Sequence, residues 1–221
     1  MRKRDTMATK KKSAAKKQQQ PDRTYPKGVE VLSSKVSFEG PVFRVVTDEV
    51  REPGGEPYRR DVVRHPGSVV VFAVDDAKSK RDPLILLERQ YRHAAAQYLY
   101  EIPAGSLDPG EDPLVGAKRE LLEETGYKAK HWSKLVRYYA SPGFLGEWMQ
   151  IFVAEGLTPG DATPEDDEQI ELFAVPLSEL LREIDAGRIH DGKTIVATLL
   201  YERMRKERQR AERAAARASG R

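Results

Sequence analysis

The chain has no cysteine. Disulfides, thiolate metal sites and cysteine nucleophiles are therefore excluded, and a bound metal must rely on oxygen ligands or on the four histidines. No run approaches the roughly 18 uncharged apolar residues of a membrane span, and the amino end lacks the apolar stretch of a secretory signal. The expectation is a soluble, cytoplasmic protein with no membrane partner. No internal repeat is present. What remains is 221 residues, 39% of them apolar, which is enough material for a real core.

The net charge of +3 conceals an asymmetry. Residues 1–28 carry ten lysines and arginines against two acids, and residues 201–221 carry eight against three, which leaves residues 29–200 at −10. A body this acidic is a poor general binder of nucleic acid phosphates, whose affinity comes largely from lysine and arginine. The basic character belongs to the ends. Residues 1–27 are Lys, Gln, Ala and Ser with almost nothing apolar to bury, so they are expected to be a disordered basic tail.

Residues 28–63 read as an antiparallel β unit, with strands near Val29–Phe38, Val42–Val50 and Tyr58–Val63 and a turn at Pro53-Gly54-Gly55. The main body is expected over 64–200. Its strands are predicted at Val69–Val74, Leu84–Leu87, Tyr98–Ile102, Leu135–Tyr139, Trp148–Val153 and Gln169–Val175. Helices are predicted over Pro113–Thr125, ended by Gly126, and over Ser178–Ala186, stopped at Gly187. A last helix starts near Lys193 under an Asp191 cap and runs into a basic helical tail, 201–221. Strands and helices mix without strict alternation, so the class is α+β.

The most informative segment joins Gly105-Ser-Leu-Asp-Pro-Gly-Glu111 to Arg119-Glu120-Leu121-Leu122-Glu123-Glu124-Thr125-Gly126-Tyr127. At about 100° per residue, Glu120, Glu123 and Glu124 share one helix edge, apart from the packing positions Leu114, Ala117 and Leu121. Like charges at i,i+4 cost roughly 0.2–0.5 kcal/mol per pair, and negative charge near a helix C-terminus opposes the dipole. Arg119 offsets this in part. A divalent cation with oxygen ligands is the economical remainder of the compensation.

Gly105 to Tyr127 resembles the signature of the Nudix hydrolases, Gly-x5-Glu-x7-Arg-Glu-U-x-Glu-Glu-x-Gly-U, where U is a bulky aliphatic residue. Every fixed position matches, and the one departure is Tyr127 at the last U, a packing position. The resemblance implies an α/β/α sandwich with a mixed sheet, preceded by the N-terminal β unit. It also implies metal-dependent hydrolysis of a nucleoside diphosphate joined to another moiety, with Mg²⁺, or Mn²⁺, as cofactor. Carried over, Glu120 and Glu124 are metal ligands, the Ala104 carbonyl is a further ligand, and Glu123 orients a ligand or a water on the metal. Glu111 and Arg119 are the pair that fixes the helix.

Features outside the signature resemble the ADP-ribose pyrophosphatase branch. Arg89-Gln90-Tyr91-Arg92 precedes Glu101-Ile102-Pro103-Ala104-Gly105, Pro142 lies 16 residues beyond Gly126, and Glu147 follows at a substrate-contacting position. Arg92, Glu101 and Glu147 are thus expected to bind substrate, and Glu168 of the acidic loop 165–168 is picked as the general base or third metal ligand. Tyr91 and Phe144 are candidates to stack on adenine, whereas His65, His131 and His190 have no metal-ligand spacing and read as surface or packing residues. The N-terminal sheet exchanges between protomers in the resembling family, so a homodimer is expected, with Arg59 or Arg60 reaching the partner's pocket. Three rival readings stand beside this one: hydrolysis of another nucleotide sugar or a dinucleotide such as NADH, a non-catalytic ADP-ribose sensor, and RNA decapping helped by the basic ends.

Overall fold

The computed structural model describes residues 24–160 and 169–219. The expectations for residues 1–23 and for Glu168 fall outside them.

Three antiparallel strands form the N-terminal sheet: β1 (Glu30–Glu39), β2 (Arg44–Arg51) and β3 (Tyr58–Arg64), in the order β1-β2-β3. Asp48 of β2 is buried, paired with Arg64 and accepting from the Ser34 hydroxyl at 2.6 Å. The end of β3 is tied to the loop before Glu147, because Val63 N–H donates to the Phe144 carbonyl and Gly146 N–H to the Val63 carbonyl, both at 2.8 Å. The N-terminal unit therefore braces a loop of the main body directly.

The main sheet contains β4 (Ser68–Asp75), β5 (Leu84–Arg92), β6 (Gln97–Glu101), β7 (Ala104–Ser106), β8 (Tyr127–Tyr139), β9 (Trp148–Pro159) and β10 (Glu171–Pro176). Its order is β10-β5-β4-β9-β8, with β6 paired to β5 and β7 to β4. Only the β4–β9 pairing is parallel, so the sheet is mixed. The period of two along β4 sends its residues to opposite faces. Val70, Phe72 and Val74 pack with Leu177 and Leu180 of helix α2 (Leu177–Asp185) and Ala197 and Tyr201 of helix α3 (Gly192–Ser219). Val69, Val71 and Ala73 pack with Ala117 and Leu121 of helix α1 (Pro113–Thr125). The result is an α/β/α sandwich, as the sequence implied, because a strand buried on both faces needs a helical layer on each side.

Several strands run further than their apolar residues suggested. β8 begins at Tyr127 rather than Leu135, and β9 continues to Pro159 rather than ending at Val153. β8 is an outer strand of the sheet, so every second residue faces water and its lysines read as loop. The pairing of β7 with β4 was not anticipated. Among the described residues no helix is long and apolar enough to cross a membrane.

α3 crosses the expected boundary at residue 200 without interruption, and Tyr201 lies against Phe72 with ring centroids 4.9 Å apart. Beyond Lys206 it is mostly exposed. Truncation after Arg208 is expected to leave the melting temperature within about 2 °C of the full chain, whereas Tyr201→Ala should cost about 3 kcal/mol by opening a cavity against Phe72. Thermal and urea denaturation of both variants measure this directly.

Candidate active site

Helix α1 is framed by its sequence. The Asp112 carboxylate caps its start, accepting from Leu114 N–H at 2.9 Å and Val115 N–H at 3.3 Å, and Pro113 occupies the first turn, where no N–H is needed. Gly126 closes it at φ 69°, a left-handed conformation suited to glycine. Between these limits Glu120 and Glu124 turn inward and are buried, while Glu123, on the same edge, is partly exposed.

Arg119 gathers the acids. Its Nε and Nη2 donate to the two oxygens of Glu111 at 3.1 and 3.0 Å, and its Nη1 donates to Glu120 at 2.7 Å and to Glu123 at 3.0 Å. Nη2 also reaches the Ser106 carbonyl at 3.2 Å, which ties the helix to β7. The bond from Arg119 holds the Glu111 carboxyl below the usual carboxylate range. The pairing of Glu111 with Arg119 expected from the sequence is present, and Arg119 compensates more of the acidic edge than its neighbours in sequence alone suggested.

β7 lies directly against the acids. Ala104 N–H donates to Glu124 Oε2 at 3.0 Å, and the Glu120 carboxylate rests on Gly105 so closely that a Cβ there would fall 2.0 Å from Glu120 Oε1. Gly105 is thus required by close approach. Through its N–H the backbone of Ala104 meets the Glu124 carboxylate, and Gly105 meets that of Glu120, while among the described residues no group of three acidic or histidine side chains is close enough to enclose an ion.

Glu88 was missed. It sits on β5, 2% exposed, bonded to Glu124, and burial pushes its pKa up to about 7. Among the described residues its Oε1 has no hydrogen-bond partner. The signal in the sequence was a lone acid closing the apolar run Leu84–Leu87, where a buried carboxylate needs a reason.

A cavity of about 320 Å³ opens beside β7, and among its walls are Ser68, Arg92, Glu101, Glu147, Asp191 and Lys193. Arg92 grips Glu101 in a two-pronged pair, Nε to Oε1 and Nη2 to Oε2, each at 2.8 Å. Lys193 also donates to Glu101 and reaches Asp191 Oδ1 at 3.0 Å. Asp191 caps α3 as expected, accepting from Thr194 N–H at 3.0 Å, and the Thr194 hydroxyl accepts from Ile102 N–H at 2.9 Å, which anchors the end of β6. Lys193 was not among the predicted site residues. Glu147 accepts from the Ser68 hydroxyl and lies 3.8 Å from His65 Nδ1. His65, expected to be a surface or packing residue, is mostly buried beside Glu147; burial lowers its pKa and outweighs the nearby Glu147 charge.

Arg59 and Arg60 do not line the cavity. They lie on β3, opposite Glu49 and Asp48, with the Arg60 guanidinium 4.3 Å over the Tyr58 ring. Tyr91 and Phe144 are exposed and also stand away from its walls.

The NUDIX domain family model matches residues 64–196, which is more than half of the chain. The chain belongs to the Nudix family. A methanol dehydrogenase activator of Bacillus methanolicus is 38% identical over 168 residues, covering 75% of this chain and 88% of that protein. An ADP-ribose pyrophosphatase of Bacillus subtilis (strain 168) is 36% identical over 168 residues with the same two coverages. Among solved structures, an ADP compounds hydrolase superposes with a TM-score of 0.69 at 20% identity, covering 84% of this chain and 98% of that one, a likeness of fold.

Two measurements test this geometry. Gly105→Ala should displace Glu120 and lower turnover by about 100-fold, equivalent to about 2.7 kcal/mol of barrier, with the circular dichroism spectrum retained. Burial alone would raise the Glu101 pKa, but the bonds from Arg92 and the charge of Lys193 outweigh it and hold it below the ordinary 4.5. The stabilisation from Glu101 is therefore complete above that value and lost as pH falls through the depressed pKa. Urea unfolding should show Glu101→Gln less stable than the parent at pH 7, with the gap closing progressively below pH 4.5.

Proposed function

We propose that this chain hydrolyses the pyrophosphate bond of ADP-ribose, giving AMP and ribose 5-phosphate, in a Mg²⁺-dependent reaction. The observation that carries this reading is the set of α1 carboxylates, bracketed by Arg119 and pressed onto β7, beside a polar cavity. The identity to an ADP-ribose pyrophosphatase over three quarters of the chain supports the choice of substrate.

The donors suit a hard divalent cation. All are oxygens, two of the carboxylates are buried, and Glu111, Glu120, Glu123 and Glu124 together hold more negative charge than Arg119 alone neutralises. Ala104, Glu120 and Glu124 would hold the ion, with Glu168 as a further ligand or the base. When bound, Mg²⁺ supplies neutralisation of the phosphate charge and a more acidic attacking water.

The chain's own groups do the rest. Arg119 keeps Glu120 and Glu123 in one place, and Glu123, the most accessible of the three glutamates, is free to orient water. Arg92 is held in one orientation by Glu101 and presents a cation to the substrate phosphates, the recognition for which a planar guanidinium is suited. Glu147 faces the same cavity and orients the substrate.

Homodimer formation and cytoplasmic residence belong to the same reading. The N-terminal sheet leaves Leu32, Val36 and Phe38 of β1 at 41%, 48% and 52% exposure, an apolar surface that a second copy would cover, and Arg59 and Arg60 of that sheet would then serve the partner's cavity.

With Mg²⁺ or Mn²⁺ present, ADP-ribose should yield AMP and ribose 5-phosphate on chromatography, and Glu120→Gln should lower turnover by about 1,000-fold with the fold intact. Unchanged turnover in that variant would overturn the site assignment, and release of other products would overturn the substrate. Sedimentation at micromolar concentration should show twice the 25.0 kDa chain mass.

A further inference from the structure

Lys193 is a lysine with 9% side-chain exposure on the wall of a cavity, a costly position unless its ammonium is used. Glu101 and Asp191 take two of its three N–H donors. One donor is left for a ligand.

Three further observations describe that ligand. The cavity walls carry two cations, Arg92 and Lys193, against three carboxylates, Glu101, Glu147 and Asp191, a formal balance of −1. A pocket with this balance does not welcome an additional anion beyond the phosphates that Arg92 meets. No aromatic side chain among the described residues lines it, so it offers no platform for a base. Its walls carry two donor–acceptor pairs, the Lys193 ammonium bonded to Asp191 and the Ser68 hydroxyl bonded to Glu147. A hydroxyl both gives and accepts a hydrogen bond, so a ring bearing several hydroxyls can meet a donor and an acceptor at each pair.

We propose that Lys193 and Asp191 form the seat for the sugar that leaves with the second phosphate, and that they select a neutral, hydroxyl-bearing X group. This rests on the pyrophosphatase reading above and adds to it the residues that read X. Asp191 fixes the seat to the fold, because its other oxygen caps α3 through Thr194. Glu101 sets the geometry by holding Arg92 and Lys193 side by side, so the phosphate-facing and sugar-facing cations move as one unit.

The test is calorimetric binding of ribose 5-phosphate, ribose 1,5-bisphosphate and AMP, with Mg²⁺ present, to the full chain and to the variants Lys193→Met and Asp191→Asn. Asparagine keeps an oxygen for the Thr194 cap, so Asp191→Asn stays informative if Lys193→Met fails to fold. The full chain should bind ribose 5-phosphate at least tenfold more tightly than the bisphosphate. Each variant should weaken ribose 5-phosphate at least fivefold and AMP less than twofold. Equal weakening of both products, an unchanged ribose 5-phosphate affinity, tighter binding of the bisphosphate, or no binding of ribose 5-phosphate by the full chain would each overturn the seat. Failure of the full chain to turn over ADP-ribose while ribose 5-phosphate binding follows this pattern would overturn the substrate and leave the sugar seat standing.

Discussion

The bonds radiating from Arg119 organise this molecule. A guanidinium presents five N–H donors in a fixed plane, and here they reach Glu111, Glu120, Glu123 and the Ser106 carbonyl. Without that cation the inner edge of α1 would be a row of acids repelling one another in a partly desolvated place. With it, Glu120 is held on Gly105, β7 is held on α1, and the loop from Asp108 to Glu111 is closed. Helix α1 is therefore attached to the sheet through its acidic edge.

A second charged unit lies across β7. Glu101 is buried and binds Arg92 and Lys193 together, while Asp191 takes the other side of Lys193 and the first turn of α3. The two units play different parts. Around Arg119 the acids outnumber the cation, which suits a metal and a water; around Glu101 cations and acids nearly balance, which suits a substrate carrying both phosphate and hydroxyls. Glu88, touching Glu124 and placed on the strand that also carries Arg92, lies between them.

What the sequence disclosed follows from how local each signal was. The α1 helix, its cap, its closing glycine and the Glu111–Arg119 pairing were legible because the spacing of a helix converts directly into direction. The two-faced core was legible in Val69–Val74, where an apolar run too short for a helix must be a strand buried on both sides. The length of β8 was not legible, because a strand at the sheet's edge needs only half its residues to be apolar and Lys128, Lys130 and Lys134 fill the rest. Lys193 was not legible as a site residue, since it becomes meaningful only through Glu101, 92 positions away, and the lone acid Glu88 closing an apolar run signalled a buried carboxylate without disclosing that its partner is Glu124, across the sheet–helix boundary.

The relation between cation and carboxylates is the claim on which everything else turns. Titration calorimetry of Mn²⁺ into the full chain with a non-hydrolysable ADP-ribose analogue present addresses it directly. The account predicts saturable uptake that Glu124→Gln reduces at least tenfold while the melting temperature of the metal-free protein is retained. Uptake of equal affinity in that variant, or none in the parent chain, would contradict it.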